Sequence, residues 1–302
     1  MTLELTVTEA MAGRRLYTVL RREMMLSASL LKRIKWTGGL YVNGTPVHTR
    51  YTLACGDVVA VDLDAGEGES GLVPEEGPLE ILFENGDLLA VNKPEGLIVH
   101  PSRARLTGTL ANYAAGYLGS ACHVVNRLDC DTSGVVLFAK NARAKTLAIR
   151  ALREGGEKDY LAVVHGGPAA ESGVIDLPIK RVSPAGMLRT VAEDGAPART
   201  AYAVAAAGTL AGELVSLLSL RLLTGRTHQI RVHCLASGMP VLGDPQYRTE
   251  ASAALSEKLG LTAQLLHAER LFLRWPDGGE AIEIAAPVRR EPFAEIIHTI
   301  SK

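Results

Sequence analysis

The sequence lacks the signals that mark metal proteins, nucleotide-binding proteins and membrane proteins. Its four cysteines form no C-x-x-C pair and have no histidines at zinc spacing. It has neither a G-x-G-x-x-G motif nor a P-loop, so we expect neither a nucleotide cofactor nor a metal. No apolar run reaches about 18 residues, and the N-terminus does not have the pattern of a signal peptide. We therefore expect a cytoplasmic protein with free thiols and no membrane partner.

The sequence also has almost no net charge. The formal value is -1, so bulk charge does not indicate a nucleic-acid-binding protein, and a polyanion would have to meet a local basic patch. Such a patch runs from Arg14 to Lys35, with seven basic residues and one acidic residue. In contrast, residues 64–87 contain eight acidic residues and no Lys or Arg.

This acidic stretch predicts a boundary between two domains. It is rich in Gly from about residue 64, which is typical of a solvated linker. We place the boundary near residue 70, which gives domains 1–70 and 71–302. The first domain is predicted to contain two short helices and a small sheet, with Ser27 or Ser29 capping the second helix.

The second domain mixes strands and helices without a regular βαβ repeat. Val135–Ala139 is a short apolar run typical of a buried strand, and Asn141 can cap the helix that follows. Further strands are predicted near residues 160–164, 200–205 and 214–222. The expected fold class is α+β, with a small N-terminal domain followed by a domain built on a mainly antiparallel mixed sheet.

Asn126–Gly134 is the segment with the clearest chemical character. It is predicted to be a loop in which Arg127 and Asp129, two positions apart, point to the same side. A carboxylate held on such a loop by small hydroxyl residues can act as a nucleophile or a base. Taken alone, however, an Asp in such a pattern more often stabilises a turn.

Several motifs along the chain resemble those of the RluA-type RNA pseudouridine synthases. Arg127-Leu128-Asp129-x-x-Thr-Ser-Gly, followed by an apolar strand, is similar to the family's signature. The resemblance extends over nearly the whole chain, through Leu88–Pro94, Gly108–Leu110, Lys158–Ala162, Leu223–His233, Gly243-Asp244 and Leu266–Ala268. It implies an isomerase that moves uracil from an N-glycosidic to a carbon linkage without a cofactor. The implied partner is RNA: large-subunit ribosomal RNA is our first expectation and tRNA the second, with a monomeric enzyme.

The resemblance also implies roles for particular residues. Asp129 is the implied catalytic carboxylate, Tyr160 the active-site tyrosine and Arg231 the ion-pair partner of Asp129, with Arg221 and Arg226 as alternatives for that partner. Arg127 is implied to fill the space left by the flipped nucleotide. Further RNA contacts are implied for Asn92, Lys93, Arg226, His228 and Gln229.

The N-terminal region resembles a second family, the RNA-binding domain named after ribosomal small-subunit protein S-four. The resemblance covers about Gly13 to Leu63 and includes a basic helix, Val42-Asn43-Gly44 and Gly56-Asp57-Val58. It implies RNA contacts for Lys32, Arg33 and Lys35. The alternative is a solvated helix face without a ligand.

One departure from the synthase pattern and two rival functions remain. Asn126 stands where the family usually has His; it can hydrogen-bond but cannot titrate near neutral pH, so we expect altered loop support or RNA contacts and intact chemistry. A non-catalytic RNA-binding protein could use the same scaffold. A glycoside hydrolase would need a second carboxylate, for which Asp131 is the obvious candidate.

Overall fold

The structure is a computed structural model, and it describes residues 2–63, 65, 72–102, 105–120, 122–184, 186–276, 279–289 and 291–301. Residues 64 and 66–71, which include the predicted boundary near residue 70, lie outside the described residues. None of the described helices is both long enough and apolar enough to span a membrane.

The N-terminal region forms a four-stranded sheet with two helices and its own apolar core. The strand order is β1-β4-β2-β3, and every pairing within it is antiparallel. The core contains Leu16, Leu20, Leu30, Ile34 and Val61, all inaccessible to solvent. The elements are β1 (Thr2–Thr6), α1 (Leu16–Arg22), α2 (Ala28–Thr37), β2 (Leu40–Val42), β3 (Thr45–Pro46) and β4 (Val58–Asp62).

Local signals account for the bounds of α2. The Ser27 hydroxyl accepts a hydrogen bond from the backbone N–H of Leu30 at 3.1 Å, so Ser27 and not Ser29 is the N-cap. The helix ends at Gly38, whose φ of 82° lies in the left-handed region that glycine adopts without strain. The buried side of α2 leaves Lys32, Arg33 and Lys35 exposed, as predicted.

The two short motifs that carried the second resemblance contact each other. Asn43 and Gly44 both have positive φ, as a tight hairpin between β2 and β3 requires. The Asn43 side chain donates to Asp57 Oδ1 at 2.8 Å and accepts from the backbone N–H of Val58 at 2.8 Å. These bonds tie the hairpin to the strand that closes the sheet.

The rest of the chain is built on a ten-stranded sheet. Along its main path the order is β10-β13-β14-β9-β15-β8-β6-β5, while β16 pairs with β15 and β7 with β8. Of these pairings only β15 with β8 is parallel among the described strands, so the predicted α+β class with a mainly antiparallel sheet is confirmed. Together with the separate β11–β12 hairpin, the strands are β5 (Glu80–Glu84), β6 (Leu88–Lys93), β7 (His123–Val124), β8 (Ser133–Ala139), β9 (Glu157–His165), β10 (Ser172–Asp176), β11 (Ile179–Arg181), β12 (Arg189–Val191), β13 (Arg199–Leu210), β14 (Glu213–Leu222), β15 (Leu266–Arg274) and β16 (Ala281–Ala285).

In the described part of the chain, five helices pack against this sheet. The central strand β8 is buried along its whole length: alternate residues pack in a cluster with α3 on one face and in a cluster with α4 on the other. Asn141 caps α4 as predicted, accepting from the backbone N–H of Ala144 at 2.8 Å. The helices are α3 (Leu110–Leu118), α4 (Ala142–Arg153), α5 (Gln229–Ala236), α6 (Glu250–Lys258) and α7 (Phe293–Ile300).

Candidate active site

The loop that precedes β8 is held in place by a buried lysine. Lys93, at the end of β6, has no solvent exposure, and its ammonium donates to the carbonyl oxygens of Pro94, Leu97 and Cys130 at 2.8, 2.8 and 2.6 Å. Burial lowers the pKa of Lys93 to about 8, although nearby acidic groups including Asp129 oppose that shift. Because each of the three hydrogen bonds uses one N–H of the ammonium group, all three donors of Lys93 serve to fix the backbone of the loop.

Side chains at both ends of the loop add further anchors. The side-chain amide of Asn126 makes two hydrogen bonds to the backbone of β8. It donates to the carbonyl of Val135 at 3.1 Å and accepts from the N–H of Leu137 at 2.7 Å. At the other end, Gln264 donates to the Thr132 hydroxyl at 2.7 Å. The Asn that departs from the family pattern thus supports the loop through hydrogen bonds that require no charge.

The junction of the loop with β8 is packed too closely for most residues. Gly134 has a φ of 112°, and a Cβ at this position would lie 2.2 Å from the carbonyl oxygen of Ala268 on β15. The neighbouring Ser133 hydroxyl lies 2.8 Å from His267 Nδ1, also on β15. Glycine is needed here because β8 and β15 approach each other directly.

Asp129 and Arg231 meet across 102 residues of sequence. Arg231 Nη1 on α5 donates to Asp129 Oδ2 at 3.0 Å. The same guanidinium donates from Nε and Nη2 to the two carboxylate oxygens of Asp244, at 2.6 and 2.8 Å. The Asp244 side chain is inaccessible to solvent, whereas that of Asp129 is 29% exposed. Arg231 is therefore fixed by the carboxylate of Asp244 and by Gln246, to which Nη2 also donates at 3.1 Å, and it presents Nη1 to Asp129.

The two alternative arginines have different partners. Arg221 donates to both carboxylate oxygens of Asp159 at 2.6 and 2.9 Å, within a cluster that also contains Arg270. Arg226 is exposed and donates to the carbonyl of Pro197 at 3.0 Å. Of the three arginines, the structure brings Arg231 to Asp129.

His228 and Tyr247 line the same side of Asp129. His228 Nε2 lies 3.9 Å from Asp129 Oδ2, and its Nδ1 lies 2.8 Å from the Tyr247 hydroxyl. Burial lowers the pKa of His228, with Arg231 acting in the same direction, while Asp129 opposes the shift. A neutral imidazole at pH 7 follows, which leaves Arg231 as the cation in contact with Asp129.

Tyr160 lies on β9, in the apolar cluster beneath the loop. It is 8% exposed, and it shares this cluster with Leu128 of the loop and Ile230 of α5. Burial, together with the negative charge of Asp129, raises the pKa of Tyr160 well above its usual value. The phenol therefore keeps its proton and can serve as a hydrogen-bond donor, but it is a weak base at neutral pH.

Three of the side chains predicted to contact RNA are buried and bonded within the protein. Lys93 is inaccessible and has all its donors occupied, as described above. Gln229 is 2% exposed and bonds to Thr224, Arg226, Arg199 and Thr200. Asn92 is 8% exposed and donates to Glu80 and to the carbonyl of Pro287, both at 3.2 Å. Buried polar groups need internal partners. The bonds that these side chains make therefore help to position the loop, α5 and β6.

Except for His228, whose side chain is 10% exposed, the other predicted contacts lie at exposed positions. Arg127 is exposed, two residues before Asp129, and Arg226 is exposed at the turn before α5. Asp244 lies within one of the motifs that resemble the family's, but its role as the buried partner of Arg231 was not predicted. The only sequence signal was its place in Gly243-Asp244, since a contact with residue 231 depends on the fold.

The assembled site is a partly exposed carboxylate beside a fixed guanidinium. An aspartate placed in this way can attack carbon or remove a proton. No group of three or more potential metal-ligating His, Cys, Asp or Glu side chains occurs in the described part of the chain.

Comparison with known proteins gives one consistent result. Residues 87–236 match the family model described as RNA pseudouridylate synthase. The chain is 36% identical to the uncharacterized RNA pseudouridine synthase YhcT of Bacillus subtilis, over 94% of this chain and 93% of the relative. It is 34% identical to ribosomal large subunit pseudouridine synthase D of Xanthomonas campestris, over 93% of this chain and 88% of the relative.

A solved structure agrees with these relatives. Human RNA Pseudouridylate Synthase Domain Containing 1 superposes with a TM-score of 0.59 at 27% identity, covering 75% of this chain and 97% of the human one. From its sequence, its fold and these relatives, the chain belongs to the RNA pseudouridylate synthase family and is an isomerase.

Proposed function

We propose that this enzyme converts particular uridines of large-subunit ribosomal RNA to pseudouridine, with Asp129 as its catalytic carboxylate. The observation that carries the proposal is the contact between Asp129 and Arg231, which pairs an accessible carboxylate with a cation on a loop with buried anchors. The choice of RNA is supported by relatives named ribosomal large subunit pseudouridine synthase D, which are 34% identical over more than nine-tenths of this chain.

The proposed reaction uses no group beyond the protein and the nucleotide. The bond from C1′ of the ribose to N1 of uracil breaks, the detached base turns, and a bond forms from C1′ to C5. The proton on C5 is then lost and N1 gains one, so the atoms balance without an oxidant or reductant. Asp129 assists either by attacking covalently or by removing a sugar proton as the base departs. Tyr160 offers its ring to the base and its hydroxyl as a donor.

Mapping pseudouridines in RNA from a strain that lacks this protein tests the substrate. We expect one or a few sites in large-subunit ribosomal RNA to lose the modification and to regain it when the wild-type gene is restored. Mapping tRNA from the same cells provides the comparison. Loss of sites in tRNA alone would transfer the proposal to tRNA, and unchanged RNA of both kinds would contradict it.

Arg127 is proposed to occupy the space that the target nucleotide leaves when it flips out. Unstacking a base costs a few kcal/mol, and a guanidinium that stacks in its place offsets part of that cost. We expect Arg127→Ala to lower kcat by about tenfold or more, since about 1.4 kcal/mol corresponds to a factor of ten, with a smaller change in RNA affinity. The comparison is Arg226→Ala, which should weaken binding more than turnover. Equal losses of turnover and affinity in Arg127→Ala would refute this role.

The N-terminal region is proposed to be a separate RNA-binding domain. Its strands pair only with one another and its core is almost entirely its own, with Ala142 as the one buried residue from the rest of the chain among those described. Removing residues 1–65 should therefore leave the large sheet folded, with weaker RNA binding and a shallower salt dependence. Circular dichroism and titrations at two salt concentrations measure these effects. Undiminished affinity in the truncated chain would be evidence against an RNA-binding role.

A further inference from the structure

A second concave site lies where the N-terminal region meets the catalytic region. It is a cavity of about 420 Å³ between the start of α2 and the outer face of α4, with His123 of β7 in its wall. It shares none of its lining residues with the site around Asp129. The side chains that matter for its chemistry are Ser27, Ser29, Arg33, Lys145, Arg150 and Arg153.

The lining of this cavity is strongly cationic. Four side chains carry a positive charge, and among the described lining residues Glu154 is the one carboxylate. Glu154 already pairs with Arg150 at 2.7 Å. Lys145 and Arg33 both approach His123, and after burial they are the next causes of a fall in the pKa of His123 to about 4. His123 is thus neutral at pH 7, and the cations contributed by both regions face a shared space.

The chemistry of this lining suits a phosphate group. Lysine and arginine donate to phosphate oxygens, and hydroxyls such as those of Ser27 and Ser29, which lie 3.1 Å apart, serve as additional donors. The first turn of α2 borders the cavity and adds the partial positive charge of a helix N-terminus. The combination of concavity, mixed donors and an excess of cationic over anionic side chains favours an anion held by several groups at once.

The position of the cavity relative to the catalytic loop indicates which phosphate group could bind there. His123 pairs with Ala139, at the opposite end of β8 from Ser133 and the catalytic loop. The six intervals of strand from Ser133 to Ala139, at about 3.3 Å each, place His123 roughly 20 Å from the end of the loop that carries Asp129. Phosphates on one strand of duplex DNA are spaced by about 3.4 Å along its axis, so this distance corresponds to about six nucleotides of a comparable helix.

An exposed aromatic residue extends the same surface. Trp36 is 81% exposed and lies three residues after Arg33 on α2, so the two side chains share one face of the helix. Lys32 is exposed on this face as well. A base can stack on such an indole while its backbone is held by nearby cations, which favours RNA over a small free anion as the occupant.

We propose that the cavity between α2 and α4 binds a backbone phosphate of the substrate RNA, about 20 Å from the uridine that reacts. The proposal rests on RNA being the substrate and adds a second point of attachment that fixes the RNA relative to both regions of the protein. Arg150 already links these regions, since its Nη1 donates to Met25 Sδ at 3.1 Å.

The test compares two double variants that each remove two positive charges. Lys145→Gln with Arg153→Gln alters the cavity, and Lys258→Gln with Arg274→Gln removes charges elsewhere on the surface. We expect the cavity variant to bind substrate RNA about five- to tenfold more weakly at 0.1–0.2 M salt, and the slope of log K against log salt to fall by about one for each lost contact. Its kcat at saturating RNA should equal that of the wild type. If the double variant unfolds, the exposed Arg153→Gln single variant takes its place.

Other outcomes separate the failures. Affinity and salt slope equal to those of the control variant would overturn the cavity proposal. The cavity proposal would also be overturned if inorganic phosphate raised the Tm of the wild type while the cavity variant bound RNA normally. The cavity would then be a site for small anions and not for RNA. Pseudouridine formation at saturating RNA is scored in the same samples. A wild-type enzyme that forms none would count against the proposed function, whereas the binding data bear on the cavity alone.

Discussion

Asp129→Asn is expected to eliminate turnover while leaving a folded protein that still binds RNA. The amide is neutral and can neither attack carbon nor accept a proton as the carboxylate does, so a fall in kcat of about 10⁴-fold is expected. The stability should change by no more than about 1 kcal/mol, because the Asp129 side chain is 29% exposed and Arg231 keeps its two bonds to Asp244.

Asp131→Asn is the matched control for this experiment. It makes the same chemical change two residues later in the same loop. Tritium release from uridine labelled at C5 gives kcat, and filter binding gives the RNA affinity. We expect wild-type kcat from Asp131→Asn. A complete loss of activity in that control would revive a mechanism with two carboxylates, and full activity in Asp129→Asn would end the proposal that this residue is catalytic.

Features with local causes could be predicted from the sequence. The bounds of α2 follow from Ser27 and Gly38, and the hairpin follows from Asn43-Gly44, because caps and tight turns depend on only a few neighbouring residues. The apolar run of β8 and the cap of α4 at Asn141 are local in the same sense. These signals were sufficient for the fold class, but they did not give the order of strands in the large sheet.

Features that depend on distant contacts could not be predicted in this way. The motif containing Lys93 predicted a residue that lines the cleft. Lys93 is instead buried beneath the loop, where its ammonium group donates to backbone carbonyl groups. The importance of Asp244 is visible only once α5 has been placed, and the parallel pairing of β8 with β15 joins residues more than 130 positions apart. A motif identifies which residues matter, whereas burial decides whether they contact the substrate or the scaffold.

Replacing Arg231 with methionine is expected to have the largest effect on stability. It would leave Asp244, whose side chain is inaccessible to solvent, as a buried charge without its cation. Removing one partner of a buried ion pair costs about 3–5 kcal/mol, and we expect the free energy of unfolding to fall by that amount. Urea denaturation measures it. Turnover should also fall, because Asp129 loses the cation 3.0 Å away.

The matched control is Arg221→Met, ten positions earlier. Arg221 is 43% exposed in its side chain, and its partner Asp159 keeps Arg270, so this variant should lose only about 1 kcal/mol or less. A double variant, Arg231→Met with Asp244→Leu, separates the two roles of Arg231. Removing the stranded charge should restore part of the stability, but it cannot restore the cation beside Asp129. A double variant that regained turnover along with stability would show that Arg231 serves the fold alone. Regained stability with turnover still low would show that Arg231 also acts through its contact with Asp129.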